Sequence, residues 1–508
     1  MTSRSPDASL FPPGFATWLD QARETFDLPG VAIAVVSGGR AETMTAGVEH
    51  LARGGARGDA VTAETLFPIG SNTKAMTAVA LGLLVDAGLL AWDDLVSRHL
   101  PGFTMYDPRA NAEITVLDLL VHRSGLGLGA GDLLLFPETT FTRAEIVAAI
   151  GRLKPATPFR QAYAYDNLLY IVAGAVVEAV SGQTWEVFVS ERLFAPLGMA
   201  SVASALDLPA KGFAWPHAKA SAVLRGAGPS TPMDHIPDIS SASPAGGVYA
   251  SARDMGRWLT VALGAGAIPG GGRLYSEAVA KALWTPVVDM PIDAAVPGFE
   301  AVQPKTQAYA LGVQVQTVQG RRLISHGGAI FGGVSHTLLV PDADFGVAVM
   351  ANTDGSLSVR TIAYQLLSHR LGWSPNDFIG AAKTHIDTQV GKAEAILTER
   401  RVAATTAPVA DLRQYEGHYR DDWYGPSTVS AADGVLFLSL DRSPGLRGPL
   451  RPIARDTFET AWIDLLSENA IVTFEREADL VIRMRMRAAS PFADFSFDFQ
   501  DLDFRRVD

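Results

Sequence analysis

The stretch LFPIGSNTKAMTAVALGLLVDAGLLAW, residues 66–92, decides how the rest of the chain is read. A short apolar, strand-like piece ends at Gly70, and Ser71-Asn72-Thr73-Lys74 opens a long helical pattern. Ala75, Ala78, Ala80, Leu81, Leu83 and Leu84 are good helix formers, with apolar groups recurring at spacings of three and four. Ser71 therefore belongs at the N-cap or in the first turn, where spare backbone N–H groups point outward. Lys74 lies three residues on and shares its helix face. A serine hydroxyl is a poor nucleophile until a neighbour removes its proton. A lysine that is desolvated or near another cation can lose its own proton near neutral pH and act as that neighbour. The helix start adds positive dipole potential where an acyl oxygen would develop negative charge. Two fixed positions in four recur by chance, however, and a plain helix cap beside a solvated lysine gives the same pattern.

The chain has 508 residues, enough for two or three domains, with 48% hydrophobic residues and 48 glycines, a globular and turn-rich composition. A formal net charge of −12 argues against nucleic acid or an anionic membrane surface as the main partner. Cysteine is absent, which excludes disulfides, thiolate nucleophiles and cysteine metal sites. The start, MTSRSPDASLFPPGF, lacks the apolar run of a secretory signal, and Asp86 interrupts the longest apolar helix before it could span a bilayer. A soluble, cytoplasmic protein is the expectation; a chain whose signal had been removed would read the same way.

Around this stretch the periodicities alternate. Residues 14–29 read as a helix, and VAIAVVSGG (31–39) with ETMTAGVEH (42–50) as a hairpin. ITVLDLLVHRSGLG (114–127) reads as a short helix ended by Gly125, and residues 141–153 as a helix with Thr142 and Glu145 forming a capping box. Further helices are expected at 167–180, across SGQTWEVFVSERLFAPLG, and at 250–264. Residues 200–245 are weakly patterned and read as long surface loops. From Tyr309 the period becomes two: YALGVQVQTV, RRLISHGG, VSHTLLVPD and FGVAVMANT are strand candidates, followed by a helix at 357–372. Strands at both ends of a helical block predict one sheet built from both ends of the domain, an α/β (α+β) arrangement with an antiparallel sheet flanked by helices. The expected organisation is a main domain over 1–375, a linker over 376–408 and an all-β domain, barrel or sandwich, over 409–508. In DLVIRMRMRA, alternation puts Val481, Arg483, Arg485 and Arg487 on one face and Ile482, Met484 and Met486 on the other. The basic stripe is read as a solvated face with acidic neighbours rather than as an anion site.

Two further segments carry chemistry. Tyr165, Asp166 and Asn167 stand between a loop and a helix, so Tyr165, favoured as phenolate beside an ammonium, can share proton transfer with Lys74. Asn167 can hold Lys74 or a substrate amide, although an aromatic cluster with Tyr163 and Tyr170 and a helix cap explain the same residues. Ser325-His326-Gly327-Gly328-Ala329 ends a strand; Gly328 permits close approach, the Ala329 N–H can pair with that of Ser71 as an oxyanion hole, and His326 titrates near neutrality. A tight hairpin with a satisfied histidine is the simpler account. His122 and Ser124 are read as parts of a helix-ending turn. No HExxH, Walker loop, GxGxxG after a strand or GxSxG elbow occurs, and the ten histidines are scattered.

In order, Ser71-Asn72-Thr73-Lys74, Tyr165-Asp166-Asn167 and His326-Gly327-Gly328 resemble the three motifs of the serine β-lactamase, penicillin-binding-protein and DD-peptidase superfamily. LFPIGSNTKAMTA, ITVLDLLVHRSGL, YDNLLYIVAGAVVEAVSG, PAGGVYASARDMGRWL and ISHGGAIFGG look more closely like class C β-lactamase-related serine hydrolases, including family S12 peptidases, D-aminopeptidases and carboxylesterases. The C-terminal part resembles a lipocalin-like barrel. The resemblance implies a β-lactamase/transpeptidase-like fold and an acyl-enzyme on Ser71. It makes Lys74 the proton acceptor, Tyr165 the partner base and acid, His326 a catalytic residue, and Asn167, Gly328 and Ala329 substrate contacts. It implies no cofactor and no metal. Asp166 stands where many relatives have serine or alanine, which favours a charged Lys74 unless its side chain points away. His326 replaces the lysine of K-T-G, which lowers the expectation of strong β-lactamase activity. The expected substrate is a small amide or peptide, including one containing D-amino acids. The alternatives are a small ester handled by a carboxylesterase or acyltransferase, and a non-catalytic binding protein. Homo-oligomer formation through the barrel is a further expectation.

Overall fold

Along Gly30–Ser37 all eight residues are buried, yet they serve two different cores: Val31, Ile33 and Val35 point to one side, Ala32, Ala34 and Val36 to the other. A strand covered on both faces needs apolar groups at every position, and its period of two divides them between layers. The computed structural model describes residues 9–52, 56–221, 224–373, 376–404, 411–464, 467–491 and 493–508.

The strands of the main sheet are β1 (Gly30–Ser37), β2 (Arg40–Gly47), β3 (Val288–Asp289), β4 (Thr306–Tyr309), β5 (Gln314–Val318), β6 (Arg321–Ile330), β7 (Gly333–Val340) and β8 (Phe345–Ala351). They lie in the order β2-β1-β8-β7-β6-β5-β4-β3, every pair antiparallel. The hairpin and the four later strand candidates thus join in one sheet drawn from both ends of the domain; β3 and β4 carry no strong alternation and were not expected. The principal helices are α1 (Phe15–Thr25), α2 (Thr73–Asp86), α3 (Leu168–Ser181), α4 (Ala252–Leu263), α5 (Ser356–Leu371) and α6 (Phe378–Ala404). α1, α5 and the start of α6 cover one face of the sheet, through Leu19, Ile362 and Phe378. The helical block, with α2 and α3 inside it, covers the other. From Met76 to Leu84 α2 is buried at every position, which explains an apolar helix with no polar stripe. Among the described residues no single helix is long and apolar enough to cross a membrane.

Several local expectations change. The stretch 114–127 holds only a 3₁₀ turn, Leu117–Leu120, and His122 soon after it takes φ +58°, a left-handed conformation that no right-handed helix continues through. The capping box of Thr142 and Glu145 is present. The loops at 200–245 contain a hairpin, His217–Ala220 with Arg225–Pro232, which sequence patterning does not reveal. The expected linker is helical over α6, and Phe378, Ile379 and Ala382 at its start enter the sheet-side core. The expected boundaries at 375/376 and 408/409 fall on or beside positions outside the described residues, as do the first eight residues of the expected signal-free start.

The C-terminal strands form a closed eight-stranded antiparallel barrel, running in chain order from Gly417–Asp421 to Asp503–Arg506. Its interior is filled by Tyr415, Tyr419, Leu436, Leu438, Phe458, Phe474, Met484 and Phe504. A β-bulge corrects the expected face of Val481. Opposite the step Glu475/Arg476, the partner register jumps from Arg483 to Val481, so Val481 is buried with Met484 and Met486 rather than sharing the arginine stripe. Arg483 pairs with Asp503 and Glu475, the acidic neighbours expected for a solvated face.

Candidate active site

Ser71 lies in a 3₁₀ turn, Gly70–Asn72, that runs directly into α2. The turn is tied to β7 by a short relay: Asn72 Nδ2 donates to Ser335 Oγ (2.7 Å), Ser335 Oγ donates to the Ile69 carbonyl (2.7 Å), and Thr337 Oγ1 donates to Asn72 Oδ1 (2.6 Å). Asn72 is therefore a clamp on the turn that carries Ser71, a role that only the register of a distant strand reveals. Gly70 has φ +50°, and a Cβ there would fall 2.7 Å from the Ala329 nitrogen. The backbone of Ala329 thus sits against the residue preceding Ser71, which brings the two expected amides together.

Lys74 is fully buried and donates to Ser71 Oγ (3.0 Å), Asn167 Oδ1 (2.7 Å) and the Ala245 carbonyl (2.9 Å). Burial drives its ammonium down to about 7, against the opposing pull of Asp132 and Asp166. Deprotonated, the amine keeps two N–H groups for Asn167 and Ala245 and turns its lone pair to the Ser71 hydroxyl. Asp166 is buried as well, but its carboxylate caps α3 through the Leu169 N–H (3.0 Å) and faces His122. It raises the lysine less than Asp132 does, so its unusual charge is outweighed by desolvation. Because Asp166 does the capping, Asn167 is free to bridge Lys74 and Asp132, donating from Nδ2 to Asp132 Oδ2 at 2.8 Å.

Tyr165 lines the same cleft as Ser71, and its ring centroid lies 4.9 Å from Lys74 Nζ. Burial holds its hydroxyl well above the usual phenol range, which overturns the expected phenolate: Tyr165 is a neutral phenol, a donor and relay rather than a standing base. His326 also departs from expectation. Its Nδ1 donates to the Gly327 carbonyl (2.5 Å) and its Nε2 accepts from the Tyr309 hydroxyl (2.8 Å). Burial and the nearby Lys74 charge push its imidazole down to about 3, so it does not titrate near neutrality, and both ring nitrogens are occupied within the protein. His122 keeps a structural place: at φ +58° it accepts the Asp166 N–H on Nδ1 and packs against Tyr165 in a tilted pair with centroids 4.3 Å apart. Ser124 accepts the Leu126 N–H in the turn that follows.

These groups open into a cleft of about 410 Å³ that contains Ser71, Tyr165, Asn167, His326, Gly328 and Ala329 together. Lys74 lies beneath it. Sequence reasoning missed Gln314 from β5, Phe136 and Ile239 from loops, and Asp494, Phe495 and Ser496 from the barrel domain. The apolar Phe495 sits over Tyr165 (centroids 5.6 Å), but nothing in its local pattern distinguishes it from a barrel residue.

Residues 15–371 match the beta-lactamase family. The chain belongs to that family. Residues 401–506 match a domain of unknown function. An unguisins hydrolase of Aspergillus campestris is 27% identical over 453 residues, 84% of this chain and 79% of that one. Penicillin-binding protein 4 of Amycolatopsis lactamdurans is 33% identical over 269 residues, covering 51% of this chain and 66% of that one. Among solved structures, the octameric penicillin-binding protein homologue from Pyrococcus abyssi superposes with a TM-score of 0.60 at 20% identity, over 97% of this chain and 99% of that chain. SurE gives 0.54 at 20% identity over 97% and 98%, and the class C beta lactamase of Rhodobacter sphaeroides 0.55 at 21% identity over 71% and 100%. The hydrolase domain of the family therefore accounts for the first part of the chain, and the barrel extends the likeness to only some relatives.

Proposed function

We propose that this protein is a serine hydrolase that cleaves small amide or peptide substrates, including those with D-amino acids, through an acyl-enzyme on Ser71. The observation that carries the reading is the direct contact between Ser71 Oγ and Lys74 Nζ (3.0 Å) at the base of the cleft, with the lysine held near neutrality by burial. Lys74 takes the hydroxyl proton as Ser71 attacks the carbonyl, and the Ser71 and Ala329 N–H groups receive the oxyanion. Tyr165 passes a proton to the departing amine, and water then releases the acid by the reverse path. Gly328 lets the strand edge approach, and Asn167 holds the base. His326, satisfied internally, shapes the wall next to Tyr309. Its neutrality removes a fixed cation suited to a β-lactam or peptide carboxylate, which weighs against strong β-lactamase activity and favours amides without a free carboxylate.

The substrate class draws on two relatives: one is a hydrolase of unguisins, and a SurE structure contains D-Leu. Small esters are the second reading, because attack by Ser71 and stabilisation of an oxyanion serve an ester carbonyl as well as an amide. The test is a parallel exposure of the full chain to a D-alanyl anilide, a short p-nitrophenyl ester and a penicillin, followed by chromophore release and peptide mass mapping. Anilide turnover with an adduct on Ser71 is expected. Ester turnover alone would shift the assignment to an esterase, and an adduct confined to another residue would sink it.

Proton transfer to Lys74 also fixes a pH dependence. The amine must be neutral to act as base, so acylation rises with pH through about 7 and levels above it. A rate that fell across this range would contradict Lys74 as the acceptor. Stopped-flow acylation between pH 5 and 9 reads it directly.

A further inference from the structure

Within the connection between the last two barrel strands, residues 493–502 leave the barrel and enter the hydrolase domain. Asp498 accepts hydrogen bonds from the N–H groups of Gly131 (2.6 Å) and Leu133 (3.0 Å), pinning the turn that carries Asp132. Gly129 in the same turn lies against Phe495: a Cβ at that position would fall 2.5 Å from the Phe495 carbonyl oxygen. Ser496 Oγ then donates to Asp132 Oδ2 (2.8 Å), the same oxygen that receives Asn167 Nδ2. An unbroken chain of hydrogen bonds follows, from Ser496 to Asp132, to Asn167, to Lys74 and to Ser71, with lengths of 2.8, 2.8, 2.7 and 3.0 Å.

We propose that the barrel domain is a working part of the active site, in which Ser496 acts as a positioning residue that orients Asp132 and Asn167 and thereby sets the placement and proton affinity of Lys74. This rests on the assignment of Lys74 as the base of Ser71. Asp132 has no exposed surface, its Oδ1 has no hydrogen-bond partner among the described residues, and burial lifts its carboxyl to about 7. Ser496 is the first of the groups that favour its ionised form, ahead of Asn167 and Lys74. The charged and titratable neighbours of this pair come from every side: Asp498 from the barrel connection, Asp166 and Tyr165 from the segment before α3, His122 from the 3₁₀ region, and His326 from β6. His122 and His326 are held neutral by burial, and Asp498 is pushed far above the usual carboxylate range, so Asp132 and Asp166 are the negative charges that Lys74 feels.

The sign of the effect follows. Removing the Ser496 hydroxyl makes Asp132 harder to ionise. Less negative charge beside Lys74 makes its ammonium easier to deprotonate, and the acid limb of acylation moves to lower pH. The experiment uses the full chain with p-nitrophenyl acetate, and intact mass follows acylation from pH 5 to 9 in wild type, Ser496→Ala, Ser496→Thr, Asp132→Asn and Ser71→Ala. The midpoint should fall by roughly 0.5 unit or more in Ser496→Ala and further in Asp132→Asn, a fraction of what a neighbouring charge can exert. The plateau rate of Ser496→Ala should fall about tenfold as Asn167 loses its anchor. Ser496→Thr keeps a hydroxyl and should restore both. A midpoint unmoved or raised in both Ser496→Ala and Asp132→Asn overturns the positioning role, even where thermal stability drops, because a scaffold contact would change stability alone. Undiminished acylation in Ser71→Ala would instead overturn the nucleophile assignment, and the positioning role with it.

Discussion

Ser71→Ala should lower kcat for every acyl donor by on the order of 10⁴-fold or more, the scale on which loss of an enzyme nucleophile is felt. Among the described residues Ser71 supplies the one hydroxyl to which Lys74 donates. Without Ser71 Oγ, the lysine keeps Asn167 and Ala245 as partners, and Tyr165 remains a neutral phenol too weakly acidic to replace the nucleophile. What survives is the pair of amides and substrate binding, which hold a carbonyl without attacking it. The fold should be untouched, because the turn is fastened by Asn72, Ser335 and Thr337 rather than by Ser71. The measurement is kcat alongside thermal unfolding. A variant within tenfold of wild type would remove Ser71 from the mechanism, and a fall in Tm matching the loss of rate would mean that the turn, not the chemistry, had been damaged.

Gly328→Ala should be the most damaging single-methyl change in the site. A Cβ at Gly328 would lie 2.0 Å from the Ile69 carbonyl oxygen and 2.4 Å from Ser335 Oγ. The first is backbone and cannot swing aside; the second already donates to that same carbonyl, so the methyl group would wedge apart the clamp that places Ser71. Overpacking of this kind costs about 1–3 kcal/mol. The larger effect is on rate, because pushing the Ile69–Ser71 turn by about 1 Å from the Ala329 amide costs on the order of 10²-fold. Thermal unfolding together with kcat/KM tests both. Wild-type values for the two would show that β6 and the nucleophile turn have room to spare, which the contact distances deny.

The sequence by itself determined the layered fold and put Ser71 and Lys74 on one helix face. S-x-x-K at a helix start is a local pattern, since spacing along one helix fixes which side chains share a face. The hairpin at 31–50 and the period-two strands after Tyr309 are likewise local, and their joining into one sheet follows from the need to cover apolar faces. The capping box at Thr142 was legible for the same reason. The proton balance was not. Whether Tyr165 is phenol or phenolate, whether His326 titrates, and whether Asp166 or burial governs Lys74 depend on how much water the surrounding elements exclude, and sequence spacing carries no measure of that. The bulge that turns Val481 inward was hidden too, because alternation assumes an unbroken ladder. Long-range closure decided the remainder. Tyr309 on β4 meets His326 on β6 across the intervening β5, Asn72 meets Ser335 and Thr337 across more than 260 positions, and Ser496 reaches Asp132 across 364. Such pairs are set by strand register and by the seating of the barrel on the hydrolase domain, and only the folded chain brings them within hydrogen-bond reach.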